Sequence, residues 1–297
     1  MNTAFASKDA SMRAGSTTDQ RRVHVHALWS SVAPAWAKHA DYVDRRAARI
    51  TKVLLDLSAP KPGERVLELA CGPGGLGMAA AALVGPAGQV VMSDVSTEMT
   101  EFAGKRAAAA GLANTSVRVR DIEDINEPDG SFDVVLCREG LMFALDPAQA
   151  AREIHRVLRP NGRLALAVWG PRARNPWLGI VLDCVSAQVG KPMPPPGMPG
   201  PFALDDSKLL GEVLKHTGLA DVAVAELESP LCTDSFEEWW ERTSALAGPL
   251  ANLLPTLPPA AMKALQVQLR EATGPYATYT GMYFPGVTLI GSARRAA

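Results

Sequence analysis

Between residues 65 and 169 the chain alternates short apolar runs with stretches of small or periodically apolar residues. Strand-like runs stand at 65–69, 89–92, 116–120, 132–136 and 163–168, and Ala-rich helical stretches at 76–83 and 97–110. Apolar runs separated by helices predict βαβ units and a parallel sheet covered on both faces. Ser96 stands where an N-cap is needed and Gly111 where the helix must stop. A further helix is signposted by Asp146 as cap, Pro147 at its first position and Gln149 in a capping-box-like place. Ile154, Val157 and Leu158 share its buried face, and Arg159-Pro160-Asn161-Gly162 turns the chain into the fifth strand.

After Trp169 the rhythm changes. The run Pro192-Met193-Pro194-Pro195-Pro196-Gly197 excludes a central strand or a continuous helix there. A helix is predicted at 206–217, a strand at 221–227, proline-broken helix over 235–273 and a last strand at 286–292. No internal repeat is visible.

Composition narrows the class. Of 297 residues, 47% are hydrophobic and 21% charged, as in an ordinary globular protein with a sizeable core. The formal net charge of -1 gives no electrostatic reason to expect nucleic acid or an anionic membrane as partner. Cys71, Cys137, Cys184 and Cys232 form no C-x-x-C pair, so a zinc or redox motif is not expected, and a reducing cytoplasmic setting is. Residues 1–22 lack the apolar run of a signal peptide, and no stretch has the roughly 20 apolar residues of a membrane span. The expected division is a flexible N-terminus at 1–22, a helical lid at 23–60, a cofactor-binding core at 61–170 and a Pro-rich cap insertion at 171–203. A core helix and strand follow at 204–231, a helical cap insertion at 232–280, and the final core strand and tail at 281–297.

The candidate chemistry begins at Gly72-Pro73-Gly74-Gly75-Leu76-Gly77, a G-x-G-x-x-G turn between strand and helix. Dinucleotide enzymes use the same turn, so three acids separate the readings. Glu68, four residues before Gly72, would repel a pyrophosphate but suits a cationic amino-acid tail and sulfonium. Asp94, ending the second strand, is placed to accept from both ribose hydroxyls. Asp121 after the third strand can accept from an adenine amino group, while Ile122 offers backbone donors and an apolar side chain. Met99 sits either against the adenine or in the core. Each acid also has a plainer reading, as a strand-end or turn residue; their order along the chain is what raises them.

Together these motifs resemble the class I S-adenosylmethionine-dependent methyltransferases, in particular the ubiquinone and menaquinone biosynthesis (methyltransferase type 11-like) branch, over roughly residues 60–170. Val66-Leu67-Glu68-Leu69-Ala70-Cys71-Gly72-Pro73-Gly74 is similar to the family's first motif, and Val91-Met92-Ser93-Asp94-Val95-Ser96 with Met99 to its ribose segment. Asp121-Ile122-Glu123-Asp124 resembles the adenine segment. Phe132-Asp133-Val134-Val135-Leu136-Cys137 resembles the fourth strand, whose end contacts the methionine part of the cofactor. The resemblance implies an α/β, Rossmann-like, seven-stranded and mostly parallel sheet flanked by helices, with an antiparallel last strand at 287–290 and a helical cap formed by insertions. It implies S-adenosyl-L-methionine as cofactor, held by Glu68, Ala70, Gly72, Gly74, Asp94, Val95, Met99, Asp121, Ile122 and Cys137, and no metal.

Methyl transfer is an in-line displacement that needs alignment, exclusion of water and sometimes a base, so no obligatory catalytic motif is expected. Arg138 and Glu139 follow strand four, where relatives often have uncharged polar residues. Glu139 is a candidate base and Arg138 a candidate holder of an acidic substrate; equally, the pair shapes the loop. His39, between Trp36 and Tyr42, is a second catalytic candidate, in a segment expected to fold over the cofactor. Trp29 and Trp36 are spaced to close the site or to share one buried helix face. Trp239 and Trp240 either line a hydrophobic acceptor pocket or pack the cap. His24, His26, His155 and His216 form no constellation and are expected in solvent. Asn175-Pro176-Trp177 follows strand five, whereas the similar motif of amino-methylating DNA enzymes follows strand four, so an enzyme of that type is not expected. The leading reading is methyl transfer to a small, apolar or aromatic molecule. The alternatives are a nicotinamide-dependent oxidoreductase and a non-catalytic cofactor-binding partner protein.

Overall fold

The computed structural model describes the backbone of residues 3–196 and 198–297, and their side chains from residue 19 onward. Three helices precede the sheet: α1 (Thr3–Lys38), α2 (Ala40–Arg46) and α3 (Ala48–Ser58). The first half of the core follows as β1 (Arg65–Leu69), α4 (Gly75–Val84), β2 (Gln89–Asp94), α5 (Thr97–Ala109), β3 (Thr115–Val119) and β4 (Phe132–Arg138). Next come α6 (Pro147–Val157), β5 (Leu158–Trp169), α7 (Pro176–Val189), α8 (Ser207–Lys215) and β6 (Leu219–Glu228). The chain ends with β7 (Leu231–Thr233), α9 (Phe236–Leu246), α10 (Gly248–Leu253), α11 (Pro259–Thr273), β8 (Ala277–Thr278), β9 (Gly281–Phe284) and β10 (Val287–Arg295).

Seven strands form the main sheet in the order β3-β2-β1-β4-β5-β10-β6, and β10 runs antiparallel to both of its neighbours. The expected Rossmann-like architecture is the observed one. Strand order reverses between β1 and β4, which opens a crevice at the carboxyl ends of the strands, directly over the glycine turn.

Alternation along each strand fills both faces. In β4, Val134 and Leu136 join Ile50, Leu54, Leu76 and Ala80 under α3 and α4. Val135 and Cys137 instead join Ile154, Val157, Leu210 and Leu214 under α6 and α8. All four β4 residues are completely buried, so the strand reads as one continuous apolar run. Side-chain caps at Ser96, Asp146 and Asp206 fix where α5, α6 and α8 begin, each accepting from the backbone N–H three residues on.

A separate apolar core holds the cap, built from α7, α9, α10 and α11 around Trp239, which is fully buried and stacked on Phe284 with ring centroids 5.2 Å apart. Within 171–203 the proline run is irregular as expected, and α7 precedes it with Pro176 in its first turn, where no N–H is required. One feature of this region differs from the sequence reading. A small sheet of order β7-β9-β8 lies in what was read as helical cap and core tail, so 281–284 belongs with the cap. Its strands are two to four residues long, too short for a periodic signal. The expectation of a loose tail at 1–22 falls largely on residues whose side chains lie outside those described; α1 itself runs through that boundary.

Candidate functional site

The turn after β1 is built from left-handed backbone: Ala70 at φ 50°, Gly72 at φ 50° and Gly74 at φ 81°. Glycine adopts this freely, but Ala70 carries strain of order 1 kcal/mol, a cost that is usually met at sites held for function. A Cβ on Gly74 would stand 2.9 Å from the Ala103 Cβ and 3.0 Å from the Met92 sulfur, so glycine there lets α4 and α5 close on the sheet. Gly74 does not line the cavity above the turn. Its contribution is to shape the turn rather than to touch what the cavity holds.

Two carboxylates converge beneath this turn. Glu68 is 1% exposed and accepts from the Gly77 N–H at 2.9 Å. Burial pushes its carboxyl up to about 8, against the opposing pull of the Arg138 charge and that hydrogen bond. Asp94 is buried at the end of β2 and accepts from Gly72 N–H at 2.9 Å and Ser96 N–H at 3.1 Å. Burial raises its carboxyl too, while the backbone N–H groups pull it back down. Neither acid has a side-chain cation within hydrogen-bond distance among the described residues.

At the far edge, Asp121 Oδ1 accepts from Glu123 N–H at 2.9 Å, and its Oδ2 lies 3.1 Å from Arg22 Nε and 3.0 Å from His26 Nε2. Arg22 also reaches Glu123 Oε2 at 3.2 Å. The carboxylate expected to face adenine is therefore already engaged by α1. His26 corrects the expectation that it faces solvent. The missed signal was spacing: positions 22, 26, 29, 33 and 36 form one stripe of α1, and Trp29 and Trp36 extend it along the cavity.

The end of β4 carries the charged pair. Arg138 is almost fully buried, donates to Thr51 Oγ1 at 2.7 Å and sits 3.4 Å from Asp44 Oδ1. Glu139 adopts φ 59°, and its N–H donates to the Ala167 carbonyl at 2.8 Å. One carboxylate oxygen accepts from Arg46 of α2, and the Arg46 and Arg138 charges hold Glu139 below the usual range although its side chain is only 8% exposed. Neither Arg46 nor Asp44 was singled out in the sequence, because a basic-acidic helix face reads first as solvated surface. Asp44, held by Arg106 at 2.8 Å, places its carboxylate where a side chain on Gly75 would stand, at the N-terminus of α4. A helix N-terminus so occupied has no room for a pyrophosphate.

These elements enclose a cavity of about 150 Å³. Of the residues singled out in the sequence, Trp36, Glu68, Ala70, Gly72, Asp94, Val95, Met99, Asp121, Ile122, Arg138 and Glu139 line it. Met99 does both things open to it, lining the cavity while packing on Val32 and Ala33. Cys137 does not line it; it is fully buried under α6, and burial pushes its thiol up to about 12. His39 also lies outside, at the start of α2, its imidazole lowered by partial burial and the Lys38 charge. Trp239 and Trp240 take the plainer of their two readings and pack the cap, Trp239 donating to the Trp177 carbonyl at 3.1 Å. Asn175 is structural: it is 2% exposed, donates to the Val287 carbonyl and accepts the Val287 N–H, pinning α7 to β10.

Part of the cavity wall is aromatic. Trp29 meets Phe143 edge-on with ring centroids 4.8 Å apart, and Trp169 packs edge-on against Trp177 at 4.9 Å. Leu178, Leu182 and Met193 of the cap complete that wall. The aromatic lining from Phe143 and Trp169 was not anticipated, since each reads as ordinary core within its own segment.

A family model described as a methyltransferase domain matches residues 60–175. The ubiquinone/menaquinone biosynthesis C-methyltransferase UbiE of Hahella chejuensis is 32% identical over 56% of this chain and 68% of its own length. The nocamycin O-methyltransferase of Saccharothrix syringae is 42% identical over 47% of this chain and 52% of its own. Among solved structures, the YcgJ protein of Bacillus subtilis superposes with a TM-score of 0.58 at 19% identity, covering 83% of this chain and 98% of that one. Three of the curated relatives are spanned over only 66%, 52% and 40% of their own length.

Proposed function

This chain belongs to the S-adenosylmethionine-dependent methyltransferases, and we propose that it moves the cofactor's methyl group to a small apolar or aromatic acceptor held under the cap. The observation that carries the proposal is that one cavity is lined both by buried acids and by aromatic rings. Glu68 and Asp94, with backbone N–H partners but no contacting side-chain cation among the described residues, suit a positively charged ligand. Trp29, Phe143 and Trp169 suit a planar apolar one.

Bound there, S-adenosylmethionine would supply a methyl group already activated by positive sulfur. In this reading Asp94 takes the ribose hydroxyls and the Gly72 turn accommodates the methionine portion. Met99 and Ile122 flank the adenine, with Asp121 at its amino edge. Glu68, whose ionised form a cationic ligand would favour, would then supply negative potential near the sulfonium, and it fixes the turn through Gly77. The left-handed Ala70 and Gly72 let the backbone approach the ligand closely. The chain's remaining task is to align the acceptor and keep water out, for which the apolar cap is suited.

The nicotinamide alternative is not favoured. Family membership speaks against it, and so does the Asp44 carboxylate at the α4 N-terminus, where a pyrophosphate would have to sit. A non-catalytic binding protein is separated from an enzyme by labelled methyl uptake. With radiolabelled S-adenosylmethionine and a panel of hydroxylated, amino and carbon-nucleophile aromatics, label is expected in at least one apolar aromatic acceptor. Cofactor binding with transfer to small polar acceptors alone would overturn the proposed acceptor class.

A further inference from the structure

The end of β4 carries a cation whose hydrogen-bonding capacity the protein leaves partly unused. A guanidinium presents a fork of N–H donors. Arg138 gives one to Thr51 Oγ1 at 2.7 Å and one to Asp44 Oδ1 at 3.4 Å. Its other N–H groups meet no acceptor among the described residues, and Arg138 lines the cavity. We propose that Arg138 binds a carboxylate, that of the cofactor's methionine portion, and so selects ligands that carry the amino-acid tail. This rests on the methyl-transfer reading above and deepens it to how the chain recognises its cofactor.

Sheet order puts Arg138 in the right place. β1 lies between β2 and β4, and its last pairings are Glu68 with Met92 on one side and Leu69 with Cys137 on the other. Asp94 and Arg138 stand just beyond those pairs, so they flank the turn at Ala70–Gly72 from opposite sides. Adjacent strands are about 4.8 Å apart, which sets the ends of β2 and β4 about 10 Å from each other. The chain of atoms between ribose and carboxylate bridges such a gap, with the ribose at Asp94 and the sulfur over the turn. Gly140, which has no room for a Cβ against Ala70, holds the end of β4 close to that turn.

Charge selects the group. The methionine tail is a zwitterion, and its two charges need opposite surroundings. Glu68 and Asp94 suit the sulfonium and the ammonium but would repel the carboxylate. Of the other cationic residues lining the cavity, Arg22 and His26 are engaged by Asp121 and Glu123 at the adenine edge. Arg120 donates to the Val119 carbonyl and faces Glu127 at 3.6 Å. Arg46, nearer the turn, is committed to Glu139. Arg138 is left, close enough for its charge to pull on both Glu68 and Glu139 while paired with neither.

Its own counter-charge is incomplete. Asp44 is shared with Arg106, which it meets at the shorter distance of 2.8 Å, and its side chain is 28% exposed against 7% for Arg138. A guanidinium so buried is costly unless its charge is fully matched, and a ligand carboxylate would complete the match. Asp44 of α2 and Thr51 of α3 meanwhile hold the guanidinium in position, so little order has to be imposed when the ligand arrives.

Calorimetry on the full chain tests this with S-adenosylhomocysteine and its decarboxylated form, which keeps the adenosine, sulfur and amine. The unaltered chain is expected to prefer S-adenosylhomocysteine by about tenfold or more. Arg138→Met is expected to abolish that preference by weakening S-adenosylhomocysteine alone, the decarboxylated ligand binding as well as before or better. Arg138→Lys keeps the buried charge, loses the fork and is expected to hold an intermediate preference. Equal affinity of the unaltered chain for the two ligands, or an equal loss of both in Arg138→Met, overturns the carboxylate site while leaving the methyl-transfer reading intact. An acidic acceptor is the other source of a carboxylate. If 2-naphthoate binds the chain already saturated with S-adenosylhomocysteine, and Arg138→Met removes that binding, Arg138 serves the acceptor and the proposal is overturned. Failure of S-adenosylhomocysteine to bind at all overturns the cofactor reading and this proposal with it.

Discussion

The Gly77 N–H donates to Glu68 Oε2 at 2.9 Å, and a Cβ on Gly77 would stand 2.6 Å from the Met92 Cγ as well as against that same carboxylate. One hydrogen bond thus ties the first turn of α4 to the acid beneath the cofactor site, and it exists only because position 77 has no side chain. Gly77→Ala is expected to cost about 1–3 kcal/mol through overpacking and to weaken S-adenosylmethionine binding. Denaturant unfolding and calorimetry check the two effects.

Glu68 also sets a pH dependence. Its folded-state carboxyl is pushed up to about 8, above the ordinary 4.5, so the folded chain holds a proton over this range that the unfolded chain has lost. Its contribution to stability is therefore fully present below about 4.5 and lost as pH rises through about 8. A cationic ligand favours the ionised acid, so cofactor affinity should rise over the same pH interval in which stability falls. Glu68→Gln is expected to flatten both profiles; unfolding curves and calorimetry at stepped pH would show it.

The engagement of Asp121 by Arg22 and His26 predicts that α1 gates the adenine edge. Arg22→Ala is expected to speed both association and release of S-adenosylhomocysteine in stopped-flow traces. Because this ion pair is partly exposed, with the Arg22 side chain 36% accessible, global stability should change by only about 0–1 kcal/mol. Unchanged rates would show that α1 does not have to move.

Much of the core was legible because periodicity and cofactor chemistry agree there. Glu68, Asp94 and Asp121 fall at or just after the ends of β1, β2 and β3, and a parallel sheet brings strand ends together whatever lies between them. The cap was less legible. Trp239 and Trp240 have helical spacing in either of their roles, and only the stacking of Trp239 on Phe284, 45 residues on, decides between them. Arg46 and Glu139 meet across 93 residues, and no local pattern reports such a pair. His26 was hidden for the same reason: its partner Asp121 is 95 residues away.

The burial of Trp239 separates cap stability from cofactor binding. Trp239→Ala is expected to cost about 3–5 kcal/mol and to loosen α9 and α7, as read by hydrogen exchange. Cofactor affinity should change far less, since Trp239 does not line the cavity. Trp36→Ala is expected to do the opposite, because its ring lies 3.7 Å from where a Cβ on Gly72 would stand.

The central claim is an adenosine-sulfonium site at Glu68, Asp94 and the glycine turn. Calorimetric titration of the chain and its Asp94→Ala variant with S-adenosylmethionine and with NAD tests it most directly. The account predicts one equivalent of S-adenosylmethionine bound, no heat from NAD, and affinity weakened about tenfold or more when the ribose-facing carboxylate is removed. Binding of NAD in its place, or undiminished S-adenosylmethionine binding by Asp94→Ala, would contradict it.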